Sequence, residues 1–501
     1  MRQNGHIAET PQQMTPRQNN DGRHLSAWLE GVCKQWRQPG LAITVASSDG
    51  VSFANGGVRK AGGADMVDPS TLFAAASISK TFAAATIGVL VDCGALSLDD
   101  RVKRYLPQFR LADPWVSDEI TVRDLLCNRI GVESSEGRHR RCAASRTDLI
   151  ARMDKQRFRH SFRAGYGYCS DAFTCAGAVV EAVSRQSWED FAQETIWAPL
   201  GMTRTNANHK TSRTDPNAAS PHLLSNGAPT PILWAYEEAA TPAGGVNTCT
   251  LDLAAWLQAM LNKGAANNNR ILSEDMIREL TTPHTVERGP YREDEMACVI
   301  GLGAEGVEAP SYALGWYRHS YRGAAVCYHT GSIDGFRSII GMLPDHDFGV
   351  AILANADNAY LPRAVFQHLV DERLGFCDRD WLEEFRSHQT TFNVHADRQA
   401  LASAPPKTNA PCPAPLASLC GSYKDETGFG DAEVVLHADQ LILKAGAASY
   451  DLFHWDGLVF EVASRAPYTP LRRFFATWTL DTDGRPVHLS TTQGALFAYR
   501  N

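Results

Sequence analysis

Ser77-Ile78-Ser79-Lys80 stands immediately before an apolar run, residues 81–90. Residues three apart on a helix share a face, so the Ser77 and Lys80 side chains can meet. A serine hydroxyl is a poor nucleophile until a neighbouring base takes its proton. A lysine buried at the head of an apolar helix can lose its charge and act as that base. The chemistry this pair offers is acyl transfer onto a serine. The spacing alone is a weak signal, since about two such matches arise by chance in a chain of this length. Two further segments add to it. Tyr168-Cys169-Ser170 follows the turn Ala164-Gly165-Tyr166-Gly167 and precedes a helical pattern from Ala172. A tyrosine beside a lysine cation is eased toward its phenolate and can relay protons. Ser170 offers a hydroxyl to Lys80 or to a substrate amide. His329-Thr330-Gly331 leads into a hairpin. A glycine there lets a substrate lie against a strand edge, and nearby backbone N–H groups can bind an oxyanion.

Hairpins and helices must position these groups. Residues 41–46 alternate as a strand, Ser48-Asp49-Gly50 signals a turn, and residues 51–54 return. Residues 336–343 and 350–354 flank Pro344-Asp345-His346-Asp347-Phe348-Gly349 and form a second hairpin. Between the hairpins lie helical patterns at 81–93, 172–184 and 251–262. Strands at both ends with helices between predict an α+β fold. One antiparallel sheet is completed by distant parts of the chain, is flanked by helices, and carries an inserted helical region.

The chain has 501 residues, 44% of them apolar and 21% charged, an ordinary globular composition. That length allows about three domains, or one large domain with an appendage. The 48 Lys and Arg against 56 Asp and Glu give a net charge of −8. Such a balance gives no hint of a nucleic-acid surface. No run of eighteen apolar residues appears, so no membrane span is predicted. Residues 1–22 are rich in Gln, Asn and Pro, lack an apolar signal region, and read as a disordered lead-in. The 12 cysteines show no C-x-x-C pair. They predict no metal site, and with no signal region they predict a reducing cytoplasm and small buried thiols. Residues 401–416 hold Pro405, Pro406, Pro411, Pro413 and Pro415, an extended linker signal. Beyond it, short apolar runs at 434–436, 441–443, 458–462 and 474–480 predict a small antiparallel barrel or sandwich. The expected organisation is a lead-in (1–22), a catalytic domain (23–400), a linker (401–416) and a β-barrel domain (417–501). A barrel that small buries little core alone, so it is expected to lean on the catalytic domain or on a second subunit in a homo-oligomer.

Several separated segments, in order, carry a resemblance. They are the stretch Phe73-Ala74-Ala75-Ala76-Ser77-Ile78-Ser79-Lys80-Thr81-Phe82, then Leu96-Ser97-Leu98-Asp99-Asp100 and Tyr105-Leu106-Pro107. Next come Ile120-Thr121-Val122-Arg123-Asp124-Leu125-Leu126, Tyr168-Cys169-Ser170, Pro199-Leu200-Gly201-Met202-Thr203-Arg204-Thr205 and Ala243-Gly244-Gly245-Val246-Asn247-Thr248. The last is His329 through Asn355. Together they make the chain similar to the serine β-lactamase and penicillin-binding-protein family, in its class C β-lactamase, DD-peptidase and esterase branch. The region after the linker, with Gly421-Ser422-Tyr423 and Phe453-His454-Trp455, resembles the lipocalin-like domain appended to that branch. The resemblance implies an acylated nucleophile at Ser77, an activating Lys80, and Tyr168 as proton shuttle. It implies an oxyanion hole from the backbone N–H groups of Ser77 and Ser332. Ser170, His329, Thr330 and Gly331 are implied to bind substrate. Drug-hydrolysing members usually carry Lys where His329 stands and Asn where Ser170 stands. A neutral imidazole is a poorer partner for a β-lactam carboxylate than an ammonium, which points away from β-lactam hydrolysis. The implied function is a cytoplasmic serine hydrolase working through an acyl-enzyme on esters, small amides or peptides, D-configured ones included. The alternatives are an acyltransferase or penicillin-binding-protein-type thioesterase or cyclase, and a non-catalytic binding protein of the same fold. No cofactor or metal is implied, and no nucleic-acid or membrane partner.

Overall fold

A computed structural model describes residues 22–132, 145–225, 228–234, 238–266, 269–287, 307–390, 404–427, 430–445, 448–464, 474–492 and 496–500. The expected lead-in falls on residues 1–21, outside the described residues. Gly22 already opens helix α1 (Gly22–Trp36). The first hairpin is β1 (Gly40–Ala46) and β2 (Val51–Gly57), paired antiparallel. The three helical patterns become α2 (Ser79–Asp92), α3 (Ser170–Ser184) and α4 (Thr250–Leu261). Helix α3 starts two residues earlier than its apolar pattern, because Cys169 is the last extended residue and Ser170 is already helical. Then follow β3 (Thr285–Val286), β4 (Val307–Tyr312), β5 (Tyr317–Tyr321), β6 (Ala324–Ile333), β7 (Phe336–Leu343), β8 (Phe348–Ala354) and α5 (Leu361–Leu374).

The strands form one antiparallel sheet in the order β2-β1-β8-β7-β6-β5-β4-β3. Leu41 pairs with Ala354 and Ala46 with Gly349, so the N-terminal hairpin completes a sheet built by the far end of the region. Alternation along a strand sends successive side chains to opposite faces. The α-carbon of Gly341 lies against Phe366 of α5, and that of Gly349 against Leu257 of α4. Gly349 pairs with Met342, the neighbour of Gly341, so α5 and α4 cover opposite faces. Strands β1 and β8 are therefore buried on both sides. Each fully covered Leu, Ile or Val there contributes about 1.5–3 kcal/mol. The two hairpin turns are tied together by Asp347, which accepts 2.8 Å bonds from the backbone N–H and the hydroxyl of Ser48.

A second core lies in a closed antiparallel barrel. Its strands are β9 (Gly421–Asp425), β10 (Ala432–His437), β11 (Gln440–Ala445), β12 (Ala448–Asp456), β13 (Val459–Ser464), β14 (Phe474–Leu480), β15 (Pro486–Thr491) and β16 (Leu496–Arg500). Pairing of β9 with β16 closes it. Its β10–β11 turn uses Ala438 and Asp439 with φ of 47° and 63°, the left-handed pair a tight hairpin needs. Strand β11 begins directly after that turn, at Gln440. Tyr423, Phe460, Trp478 and Leu489 fill the interior. The Trp478 indole donates to the Tyr423 hydroxyl at 2.8 Å, which donates on to the Leu419 carbonyl at 2.7 Å.

Of the proline-rich stretch, residues 401–403 lie outside the described residues. Residues 404–415 adopt neither helix nor strand, yet they lie along the barrel. The Trp455 indole donates to the Pro405 carbonyl, and the Ala410 N–H donates to Asp456. Every described cysteine is free. Six are buried as expected, Cys33, Cys127, Cys169, Cys175, Cys249 and Cys327, whereas Cys93 and Cys377 are exposed. Among the described residues no helix is long and apolar enough to cross a membrane.

Candidate active site

The nucleophile turn is a sharp corner between a short strand and α2. Phe73 and Ala74 pair with Thr248 and Asn247, and the chain then makes a single 3-10 turn, Ala76–Ile78. Ala76 has φ of +50°, a left-handed conformation that costs a residue with a Cβ about 1–2 kcal/mol. Hydrogen bonds hold it there. The Ala75 carbonyl accepts from Ser338 Oγ at 2.8 Å, and the Ala75 N–H donates to the Val246 carbonyl at 2.9 Å. Ser79 Oγ donates to the Ala76 carbonyl and accepts from the Val246 N–H. Lys80 lies in the first turn of α2 with no solvent exposure. Its Nζ donates to Ser77 Oγ at 3.0 Å and to the Ala243 carbonyl at 2.7 Å.

Tyr168 arrives on the loop before α3. Lys80 Nζ stands 4.8 Å from its ring centroid, over the face. The loop is fastened to residue 128. The Gly167 N–H donates to the Asn128 backbone carbonyl, and the Cys169 N–H to Asn128 Oδ1 at 3.0 Å. Arg163 grips Asp124 with two guanidinium hydrogen bonds, and Arg129 pairs with the same carboxylate. Burial pushes the Asp124 carboxyl up, but the bonds from Arg163 and Thr121 and the charge of Arg129 outweigh it and hold it below its ordinary value. Ser170 is buried at the first position of α3.

The structure shows how residues 329–331 are held. Strand β6 is interior to the sheet over its first half. Its pairing with β5 ends at Tyr328, however, so 329–333 run on with β7 alone beside them. His329 lies beside the Lys80–Tyr168 pair, its ring centroid 6.3 Å from that of Tyr168. It is fully buried, its Nδ1 donates to the Thr330 carbonyl at 2.7 Å, and its Nε2 accepts from the Tyr312 hydroxyl at 3.0 Å. Burial, with the Lys80 charge adding to it, lowers its pKa to about 3, so the ring stays neutral. Because the folded value lies below the unfolded one of 6.5, His329 adds full stability above pH 6.5 and loses it as pH falls toward 3. Between pH 8 and pH 5 the loss from this group is about 2 kcal/mol. A His329→Gln variant followed by denaturant midpoints should show a correspondingly flatter pH dependence. An unchanged slope would mean that the ring is not held neutral.

Packing alone already requires a glycine at 331. A Cβ there would stand 2.2 Å from the Ala75 carbonyl oxygen and 2.0 Å from Ser338 Oγ. The strand backbone thus rests directly on the nucleophile turn, leaving no room for a side chain. Gly331→Ala should shift that turn and lower turnover about 100-fold, the usual result of an ångström-scale misplacement. Wild-type turnover in the alanine variant would show that the contact does not set the Ser77 position. Thr330 is partly exposed and Ser332 exposed, the latter paired with Arg337 of β7.

A small surface pocket adjoins the site, with Ala74, Trp234, Thr241, Gly244, Asn247 and Ile333 in its wall. Trp234 packs on Phe336 with ring centroids 4.8 Å apart. Four participants were not singled out from sequence for these roles: Ala243 as the second Lys80 partner, Ser79, Asn128 and Tyr312. Only Ser79 lay inside a motif already read as chemical, so its hydroxyl was the one findable signal. Among the described residues no His, Cys, Asp and Glu group could hold a metal ion.

The family model for beta-lactamase matches residues 25–370. With more than half its length matched, the chain belongs to the beta-lactamase family. It is 25% identical over 435 residues to unguisins hydrolase ungD of Aspergillus violaceofuscus (strain CBS 115571), covering 81% of this chain and 75% of that one. It is 25% identical over 416 residues to penicillin-binding protein 4 of Amycolatopsis lactamdurans, covering 81% of this chain and 99% of that one. The octameric penicillin-binding protein homologue from Pyrococcus abyssi superposes with a TM-score of 0.62 at 20% identity, over 95% of this chain and 100% of that one. That likeness includes the barrel, and at that identity it speaks for the fold alone.

Proposed function

We propose that this chain is a serine hydrolase that works through an acyl-enzyme on esters and small amides or peptides. The observation that carries the reading is the buried Lys80 amine 3.0 Å from Ser77 Oγ. In the charged state Nζ donates along that line. With the Lys80 proton lost to solvent before the cycle begins, Ser77 Oγ passes its own proton to Nζ as it attacks the acyl carbon, and Nζ returns that proton to Oγ when the acyl group leaves. The Ala243 carbonyl holds the amine in place through the transfer. The backbone N–H groups of Ser77 and Ser332 serve as oxyanion donors, with the Gly331 contact setting their separation. Tyr168, under the Lys80 ammonium, protonates the leaving group and then takes a proton from the water that releases the acyl group. His329 acts as a neutral wall and not as a cation for a substrate carboxylate. Thr330 and Ser332 offer the exposed polar contacts.

A fluorophosphonate probe tests the reading, with intact-protein mass and peptide mapping as readout. A single adduct on Ser77 is the expected result. A panel of esters, D- and L-aminoacyl amides and acyl thioesters, with and without an added amine, then separates hydrolysis from acyl transfer.

A further inference from the structure

The barrel touches the catalytic region beside the segment that carries Tyr168. Lys155 closes a 3-10 turn, Arg152–Lys155. Its Nζ donates to the Asp425 carbonyl at 3.2 Å and stands 3.7 Å from the Asp425 carboxylate, at the end of β9. That carboxylate is almost fully buried and also accepts from the N–H groups of Thr427 and Gly430, so hydrogen bonds fix its place on the barrel side. Gly430 has φ of +89°, and a Cβ there would stand 2.5 Å from Arg152 Nη1, so the barrel backbone lies flat on that guanidinium. The next residue, Gln156, is buried and donates through Nε2 to Asp171 Oδ2 at 2.6 Å. Asp171 sits in the first turn of α3, three residues after Tyr168. Met153 of the same 3-10 turn packs against Cys175 of α3.

The Tyr168 segment is thus held from two sides. Asn128 and Asp124 fasten its loop from the catalytic core. The 152–156 turn fastens the start of α3, and the barrel presses on that turn. We propose that the Lys155–Asp425 contact is a brace through which the barrel sets the position of Tyr168, which makes Lys155 and Asp425 positioning residues for proton transfer. The proposal rests on the acyl-enzyme reading above.

The test uses the full chain and four variants: Lys155→Ala, Lys155→Arg, Tyr168→Phe, and the Lys155→Ala/Tyr168→Phe double variant. Turnover of an aminoacyl amide is measured beside phosphonylation of Ser77, whose activated leaving group needs little protonation. Lys155→Ala should lower kcat about 10-fold, with KM and the labelling rate within about twofold. Lys155→Arg should restore kcat, since a guanidinium can still reach the Asp425 carbonyl. In the Tyr168→Phe background, Lys155→Ala should have no further effect, because two residues acting on one step are not additive. Should Lys155→Ala fail to fold, Lys155→Gln is read in the same way. Unchanged kcat, or an effect that multiplies fully with that of Tyr168→Phe, overturns the brace and leaves a merely structural contact. Failure of the acyl-enzyme reading looks different: Ser77 of the wild type then takes no label at all.

Discussion

Replacing Ser77 by alanine removes all covalent labelling and lowers ester turnover by at least roughly 10⁴-fold, the scale on which serine hydrolases depend on their attacking atom. The fold survives the change. Ser77 is partly exposed at the corner, and the loss of its hydroxyl still leaves Lys80 bonded to the Ala243 carbonyl. No buried donor is stranded, so stability moves by no more than about 0.5 kcal/mol. Circular dichroism and a denaturant midpoint check that point beside the kinetics. Purified Ser77→Ala with near-wild-type turnover would end the assignment of the nucleophile. So would a label that persists at another residue.

The second large effect belongs to the proton-transfer pair. Lys80→Ala and Tyr168→Phe should each lower kcat by about 10²–10⁴-fold with little change in KM, because moving a proton is expressed in the transition state. Combined, they should cost far less than the product of the two, since both serve one relay. The two variants differ in cleanliness. Lys80→Ala empties a fully buried site and leaves the Ala243 carbonyl without that donor, which costs about 1–3 kcal/mol of stability. Tyr168→Phe keeps the ring and removes only the hydroxyl. The phenylalanine variant is therefore the decisive one, and the alanine variant needs a stability measurement beside it. If both raise KM alone and spare kcat, the two side chains bind substrate and the proposed relay is wrong. Steady-state rates on one ester and one amide distinguish these outcomes. The amide should suffer more from Tyr168→Phe, because its leaving amine must be protonated.

How much of this was legible in the residues differs by the range of the information. The Ser77–Lys80 contact is an i, i+3 relation at a helix start, and helical geometry alone makes it. The α2, α3 and α4 helices and the two hairpins are also local, and their patterns placed them to within a few residues. The barrel was half legible. Strands with continuous apolar runs, such as β14, stood out. Strand β15, with mixed burial and an opening Pro486, gave no comparable run. That β9 meets β16, so that the sheet closes as a barrel rather than a sandwich, is a pairing between strands distant in sequence, and no local pattern encodes it.

What the sequence by itself determined is therefore the chemistry on offer: a serine, an amine one helical turn away, a tyrosine on a glycine-rich loop, and the elements that carry them. Tertiary structure alone decided the environment of each group. His329 is neutral because burial and the nearby Lys80 charge disfavour its cation, and Tyr312 and the Thr330 carbonyl fix its ring inside the sheet packing. Gly331 is obligatory because the Ala75 carbonyl, from a segment far away in the chain, lies where its side chain would go. Lys80 has its second partner on the Thr241–Gly245 turn. The physical reason is common to all three. Periodicity and spacing specify which face a residue occupies on its own element, whereas burial, hydrogen-bond partners and hence charge state depend on which other segment is packed against that face.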